Sequence, residues 1–178
     1  MLLFKLFKKV IGLYILHFRG GVAYAHHCGV QTGTGCRIYS TAWGSEPFLI
    51  SIGDRVTITS GVKILTHDGS TWLIHNEMGK RYQHYSPVTI GSDVFIGVNA
   101  ILLPGVNIGD KVIIGSGSVV TKDVPSGTIV AGNPARFIGS FIDYENKVIN
   151  SFVNDSELEH CLPYEEKVFL AIDISRGR

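Results

Sequence analysis

Seven histidines are spread through this chain of 178 residues, and His67 stands where proton transfer would be useful. Histidine is the side chain whose ordinary titration falls in the neutral range, so it can take a proton from a hydroxyl and give it back. His67 follows Thr66 and opens a stretch, residues 68–87, that lacks the regular spacing found on either side. The residues alone leave two readings open: a general base, or a surface histidine without a role. His17, His26 and His27 fall near the N-terminus, His75 and His84 in the irregular stretch and His160 in the tail, and nothing selects among them.

The surrounding sequence must position His67, and its pattern is regular. Ile90, Ile96, Leu102, Ile108, Ile114 and Val120 recur every six residues, each preceded two places earlier by an apolar or small residue. Six is neither a helical period nor a plain strand alternation. It is the period of a parallel β-helix. Within a unit, i−2 and i point inward and i−1 points out, and the next three residues turn a corner. Those corners read Gly91-Ser92-Asp93, Gly97-Val98-Asn99, Gly109-Asp110-Lys111 and Gly115-Ser116-Gly117, rich in residues that tolerate tight turns. Three sides close a triangular coil of about eighteen residues.

Coils begin near residue 28, with Val30 and Thr32 and then Cys36 and Ile38 facing inward. The frame then slips, and an irregular corner between Tyr39 and Leu49 carries two extra residues, with Trp43, Ser45, Glu46 and Pro47 on it. From Ile50 the count is clean. It puts residues 53–55, 91–93 and 109–111 on one edge and 59–61, 97–99 and 115–117 on a second. A third edge takes 65–67, 103–105 and 121–123, provided that the irregular stretch returns to its own corner. The Glu46 corner lies one coil from His67, and Thr121-Lys122 about 10 Å away on the other side. After Thr128 a last side leaves the prism at Pro134. Helical spacing follows over 141–152 and again over 163–172, and residues 175–178 should fray.

A net charge of +1 makes no electrostatic case for nucleic acid. Cys28, Cys36 and Cys161 form no metal or redox motif and read as small buried residues, reduced in a cytoplasm. Residues 1–27 start very apolar, with Lys5, Lys8 and Lys9 interspersed, and the run 10–18 is too short to span a bilayer. We read them as a short amphipathic helix capping the first coil. Contact of residues 1–18 with a membrane surface is the second reading and a signal peptide the third.

The stretch 50–139 resembles the hexapeptide-repeat acyltransferases, in the group of maltose and galactoside, xenobiotic and polysaccharide O-acetyltransferases. The resemblance is carried by Ile52-Gly53-Asp54, Thr66-His67, Val88-Thr89-Ile90-Gly91, residues 119–125 and Gly132-Asn133-Pro134-Ala135-Arg136. It implies an all-β solenoid, a left-handed parallel β-helix of about five triangular coils with short helices at both ends. With the coil count it divides the chain into an N-terminal segment 1–27, an acyltransferase domain 28–139 with the loop 68–87, and a helical extension 140–178. It also implies a homotrimer, which the reduced cysteines put in a cytoplasm, at the inner face of the membrane if residues 1–18 make that contact. Acetyl-CoA would lie in the groove between adjacent prisms. Its contacts would fall at Gly97, Val98, Ser116, Gly117, Thr121, Lys122 and Arg136, the last two suited by charge to phosphate. The catalytic histidine of the group matches His67. The chain lacks the longer N-terminal helical segment of the sugar enzymes, and its loop is its own in sequence.

On that resemblance His67 takes a proton from a sugar hydroxyl, the oxygen attacks the thioester, and backbone N–H groups on a nearby corner hold the oxyanion. Glu46 and Asp68 are the carboxylates that could orient the ring. Trp43, Glu46, Asp68 and Trp72 are the candidates for holding the carbohydrate acceptor. No metal is required. A zinc site of the γ-class carbonic anhydrase kind needs two of its histidines five apart, which neither His67/His75 nor His75/His84 provides. The alternatives are N-acetylation of an amino sugar or nucleotide sugar, and a non-catalytic scaffold.

Overall fold

The aliphatic repeat becomes the core. Ile90, Ile96, Leu102, Ile108, Ile114 and Val120, and the six residues two places before them, are all at most 3% exposed. The structure, a computed structural model, describes residues 2–158 and 162–177. It divides into two compact units, Met1–Gly139 and Ser140–Arg178.

The first unit opens with α1, Leu2–Cys28. Short strands follow: β1 Gln31–Thr32, β2 Arg37–Ile38, β3 Ile50–Ile52, β4 Thr57–Ile58 and β5 Lys63–Ile64. After the loop come β6 Val88–Ile90, β7 Phe95–Ile96, β8 Ile101–Leu102, β9 Asn107–Ile108, β10 Ile113–Ile114, β11 Val119–Val120, β12 Thr128–Ala131 and β13 Arg136–Ser140. From β3 to β11 the chain visits three sheets in rotation. The first holds β1, β3, β6 and β9, the second β2, β4, β7, β10, β12 and β13, and the third β5, β8 and β11. The pairs among β1 to β12 in these stacks are parallel, with Ile52 beside Ile90, Ile58 beside Ile96 and Ile64 beside Leu102. Equivalent inward residues thus stack in columns, and successive coils share one apolar interior.

The corners are locked as well. Along the first edge a side-chain oxygen of each coil accepts the corner amide of the coil before it. Asp54 Oδ1 accepts from Thr34 N (2.7 Å), Ser92 Oγ from Asp54 N (3.1 Å), Asp110 Oδ1 from Ser92 N (2.7 Å) and Ser126 Oγ from Asp110 N (2.9 Å). These amides lie outside the strand ladders and would otherwise need water. The third residue of the corner takes positive φ, and it is not always Gly or Asn: Arg55 (54°) and Lys111 (53°) adopt it too. Arg55 is compensated by an N–H···O bond to Thr34 (2.7 Å) and an ion pair with Asp93 (2.6 Å).

Four expectations need correction. The N-terminal helix is longer than a short cap and breaks at Gly20 (φ 81°, ψ 179°). The arm before the break folds back, since a Cβ on Gly12 would lie 3.2 Å from the Tyr24 ring. An unbroken helix would hold those residues about 18 Å apart. The arm after it packs on the first coil with Ala25 fully buried, and Gly21 lies so close that a Cβ would meet the Ile38 carbonyl oxygen at 1.8 Å. The chain also does not leave at Pro134. It turns and adds β13 beside β12, because an uncovered sheet edge accepts a strand. Finally, Ser175 and Arg176 are helical. Cys28 and Cys36 are half-buried rather than buried, and Cys161 lies outside the described residues.

The second unit contains α2, Phe141–Ser151, and α3, Tyr164–Arg176. Ser140 caps α2 by accepting the Asp143 N–H at 3.1 Å.

Candidate active site

His67 lies on the third edge, where the chain leaves the coil and comes back. The two ends of the excursion are paired: Ser86 N donates to Thr66 O (2.8 Å), Asp68 N to His84 O (3.1 Å), and His67 bridges Tyr85 in antiparallel fashion. The strand that follows, β6, pairs with β3. The loop therefore returns to its own corner, and the count of coils carries across it. Thr66, 1% exposed, is the last inward residue before the histidine.

Glu46 reaches this corner from the irregular one beside it. It precedes a 3-10 turn, Pro47–Leu49, whose first amide bond runs from Leu49 N to Glu46 O (3.0 Å). Its Oε2 accepts two bonds, from Thr66 Oγ1 and from His67 Nδ1, both 2.8 Å. An ionised carboxylate only accepts, so Nδ1 carries a proton, and in the neutral ring the lone pair is on Nε2. Burial opposes the Glu46 charge, but the His67 and Thr66 hydrogen bonds outweigh it and hold the carboxyl below the usual value. The Glu46 side chain is 15% exposed and that of His67 42%. A pinned base with an accessible nitrogen is what hydroxyl deprotonation requires.

Asp68, the other carboxylate, is engaged by Ser70. It caps the short 3-10 helix Gly69–Leu73, accepting from Ser70 N (2.9 Å) and Ser70 Oγ (2.6 Å). Those two bonds depress its carboxyl pKa. A cavity of about 210 Å³ joins Glu46, His67 and Asp68 to Arg81, Gln83, His84 and Tyr85 of the loop. Trp72 is exposed and stands under the Arg81 guanidinium, 5.3 Å from its ring centroid. Trp43 is in the core, 3% exposed, and lines a separate cavity of about 550 Å³ beside α1.

The residues expected to meet the donor fall in two groups flanking the third sheet. Thr121, Lys122 and Arg136 line one cavity of about 440 Å³. Val98, Ser116 and Gly117 are exposed on the second edge, while Gly97 is buried beneath Ser116. Arg81, Gln83 and Tyr85 were not singled out by the sequence. Their alternation, i, i+2, i+4, is a strand signal, but the loop around them has no period to frame it. Among the described residues no cluster of three or more His, Cys, Asp or Glu could hold a metal ion.

The hexapeptide repeat of succinyl-transferase matches residues 87–122. Over 153 residues the chain is 46% identical to protein CapG of Staphylococcus aureus, covering 84% of this chain and 87% of CapG. The chain belongs to the hexapeptide-repeat acyltransferase family. It is an acyltransferase. Within that family it is 41% identical over 99 residues to the galactoside O-acetyltransferase of Escherichia coli strain K12, covering 55% of this chain and 47% of that enzyme. The chain thus spans about half the length of that relative. A solved galactoside acetyltransferase in complex with coenzyme A superposes with a TM-score of 0.51 and 30% identity, covering 66% of this chain and 58% of that one. Family membership gives the His67–Glu46 pair an enzymatic context that its geometry alone does not.

Proposed function

We propose that this acyltransferase moves an acetyl group from acetyl-CoA to a hydroxyl of a saccharide, a small sugar or a surface-polysaccharide precursor, with His67 as general base. The observation that carries the reading is the 2.8 Å bond between His67 Nδ1 and Glu46 Oε2, at the mouth of a cavity closed by the loop. The hydroxyl and coenzyme A chemistry of the galactoside relatives supports the acceptor and donor classes.

Nε2 of His67 takes the acceptor proton as the oxygen attacks the thioester carbonyl. The C–O bond forms, backbone N–H groups of a corner receive the oxyanion, and the intermediate collapses with the proton passing to the departing CoA sulfur. Glu46 balances the imidazolium formed in between. In this reading the three sheets are a left-handed β-helix of about five coils, covering residues 28–139, and the working form is a homotrimer. The donor lies in the groove between prisms. Lys122 and Arg136 meet its phosphates, with Gly97, Val98, Ser116, Gly117 and Thr121 along the same face. Trp72 and the loop hold the acceptor, and Trp43 backs the corner that carries Glu46. Residues 1–18 rest against the cytoplasmic face of a membrane, since Phe7, Val10, Leu13, Tyr14 and Phe18 are all exposed on the N-terminal arm. No described helix is long and apolar enough to cross a membrane.

A CoA-release assay tests the reading, run on wild type and His67→Ala with hydroxyl and amine acceptors in separate arms. Release that needs both a hydroxyl saccharide and His67 supports it. Equal rates in the two proteins overturn the role of His67, and turnover with amines alone overturns O-acetylation.

A further inference from the structure

The returning arm of the loop carries Arg81, Gln83 and Tyr85 on alternate positions, and all three line the cavity that holds His67. Tyr85 is nearest the base: its ring centroid is 6.1 Å from that of His67, and its hydroxyl donates to Gln83 Oε1 at 2.6 Å. Arg81 is farthest along the arm. Its backbone is fixed by the antiparallel bridge to His75 and by the turn beyond, where Asn76 Oδ1 accepts from Met78 N (3.0 Å) and Lys80 N (2.9 Å). Its guanidinium is fixed over Trp72.

The other charged groups of the cavity are engaged: Glu46 holds His67 and Thr66, and Asp68 holds Ser70. Among the described residues Arg81 makes no ion pair. A guanidinium held still, without a carboxylate, at the rim of a substrate cavity is a receptor for a planar or tetrahedral anion. Its place also sets a length. Four residues of extended chain between Tyr85 and Arg81 span roughly 13 Å, longer than a single sugar ring.

We propose that the acceptor is an anionic saccharide. Its carboxylate or phosphate pairs with Arg81, at least one ring away from the hydroxyl presented to His67, and Gln83 contacts the sugar between them. The proposal rests on the acyl-transfer reading for the identity of the reacting hydroxyl.

The test uses the full chain and three acceptor arms: a neutral di- or oligosaccharide, its uronic acid counterpart and its sugar-phosphate counterpart. Each is measured by CoA release and, independently, by calorimetric binding to wild type, Arg81→Gln and Arg81→Lys. Wild type should prefer at least one anionic arm over the neutral one by about tenfold in KM and Kd. The uronic acid and phosphate arms tell the two anions apart. Arg81→Gln should bring that ratio close to unity, and Arg81→Lys should keep part of it. A wild-type ratio near unity, or a ratio unmoved by Arg81→Gln, overturns the proposal. Preferential anion binding without CoA release in any arm would overturn acyl transfer to these sugars while leaving the anion site standing.

Discussion

Glu46 Oε2 lies 2.8 Å from His67 Nδ1, and the two residues come from neighbouring coils of the same edge. The bond crosses between coils rather than running along the chain. The orientation of the base therefore depends on the stacking of the solenoid itself.

Removing the ring should show its share of the chemistry. His67→Ala is expected to lower kcat for acetyl transfer by about 10²–10⁴-fold while leaving the melting temperature within a few degrees. Single-turnover CoA release together with a thermal scan checks it. A variant with wild-type kcat would remove His67 from the mechanism.

Glu46→Gln separates charge from position. The amide can still accept the Nδ1 proton, but it no longer balances an imidazolium. We expect a drop in kcat of about 10-fold, with KM little changed. An equal rise in KM and no change in kcat would mean that Glu46 serves binding instead.

The first edge predicts an acid-dependent stability. Thr34 donates its backbone N–H and its hydroxyl to Asp54, and these bonds hold the carboxyl below its ordinary 3.8. A depressed pKa stabilises the fold above the ordinary value, and the benefit is lost as pH falls through the depressed one. Asp54→Asn should therefore melt below wild type at neutral pH. The gap should close as pH drops below about 4. A gap that is constant with pH would assign the effect to shape alone.

Leu102 is fully buried at the centre of the third sheet's column, between Ile64 and Val120. Leu102→Ala should destabilise by about 2–5 kcal/mol in denaturant unfolding, through lost burial and an unfilled cavity. A loss under about 1 kcal/mol would mean that the column can collapse to fill the gap.

Gly21 permits α1 to close on the first coil. Gly21→Val should push the helix off Ile38, destabilising by about 1–3 kcal/mol and exposing the N-terminal arm to limited proteolysis. The same substitution at Gly69, where a Cβ meets nothing within 4 Å, is the control.

How much of this could be read beforehand depends on whether a residue obeys the period. The inward columns could, because Ile96 or Ile114 is defined by a six-residue count alone. Glu46 was visible only as one of two carboxylates, since its lengthened corner runs into a 3-10 turn, Pro47–Leu49, whose path no count supplies. Arg55 and Lys111 were hidden for another reason: charged residues are not expected at positive φ, and the bonds that offset the strain come from the coil beside them. Arg81 was invisible because its neighbours belong to a hairpin closed by Asn76, outside the repeat. The return of the chain as β13 was missed because Pro134 reads as an exit, whereas the unpaired edge of the second sheet favours one more strand.

The ladder on the first edge alternates in kind: Asp54, Ser92, Asp110, Ser126. Stacked carboxylates on adjacent coils would stand about 4.8 Å apart and repel. Alternation keeps the two acids of the ladder itself two coils, about 10 Å, apart, near the screening length of physiological salt, and Asp93 on the coil between them is paired with Arg55. A prism of this design grows most easily by two coils at a time. Duplication of a coil pair preserves both the bond pattern and the charge spacing, whereas a single inserted coil sets two acids or two serines side by side. The bond ladder of this edge therefore has a coil pair, not a single coil, as its repeating unit.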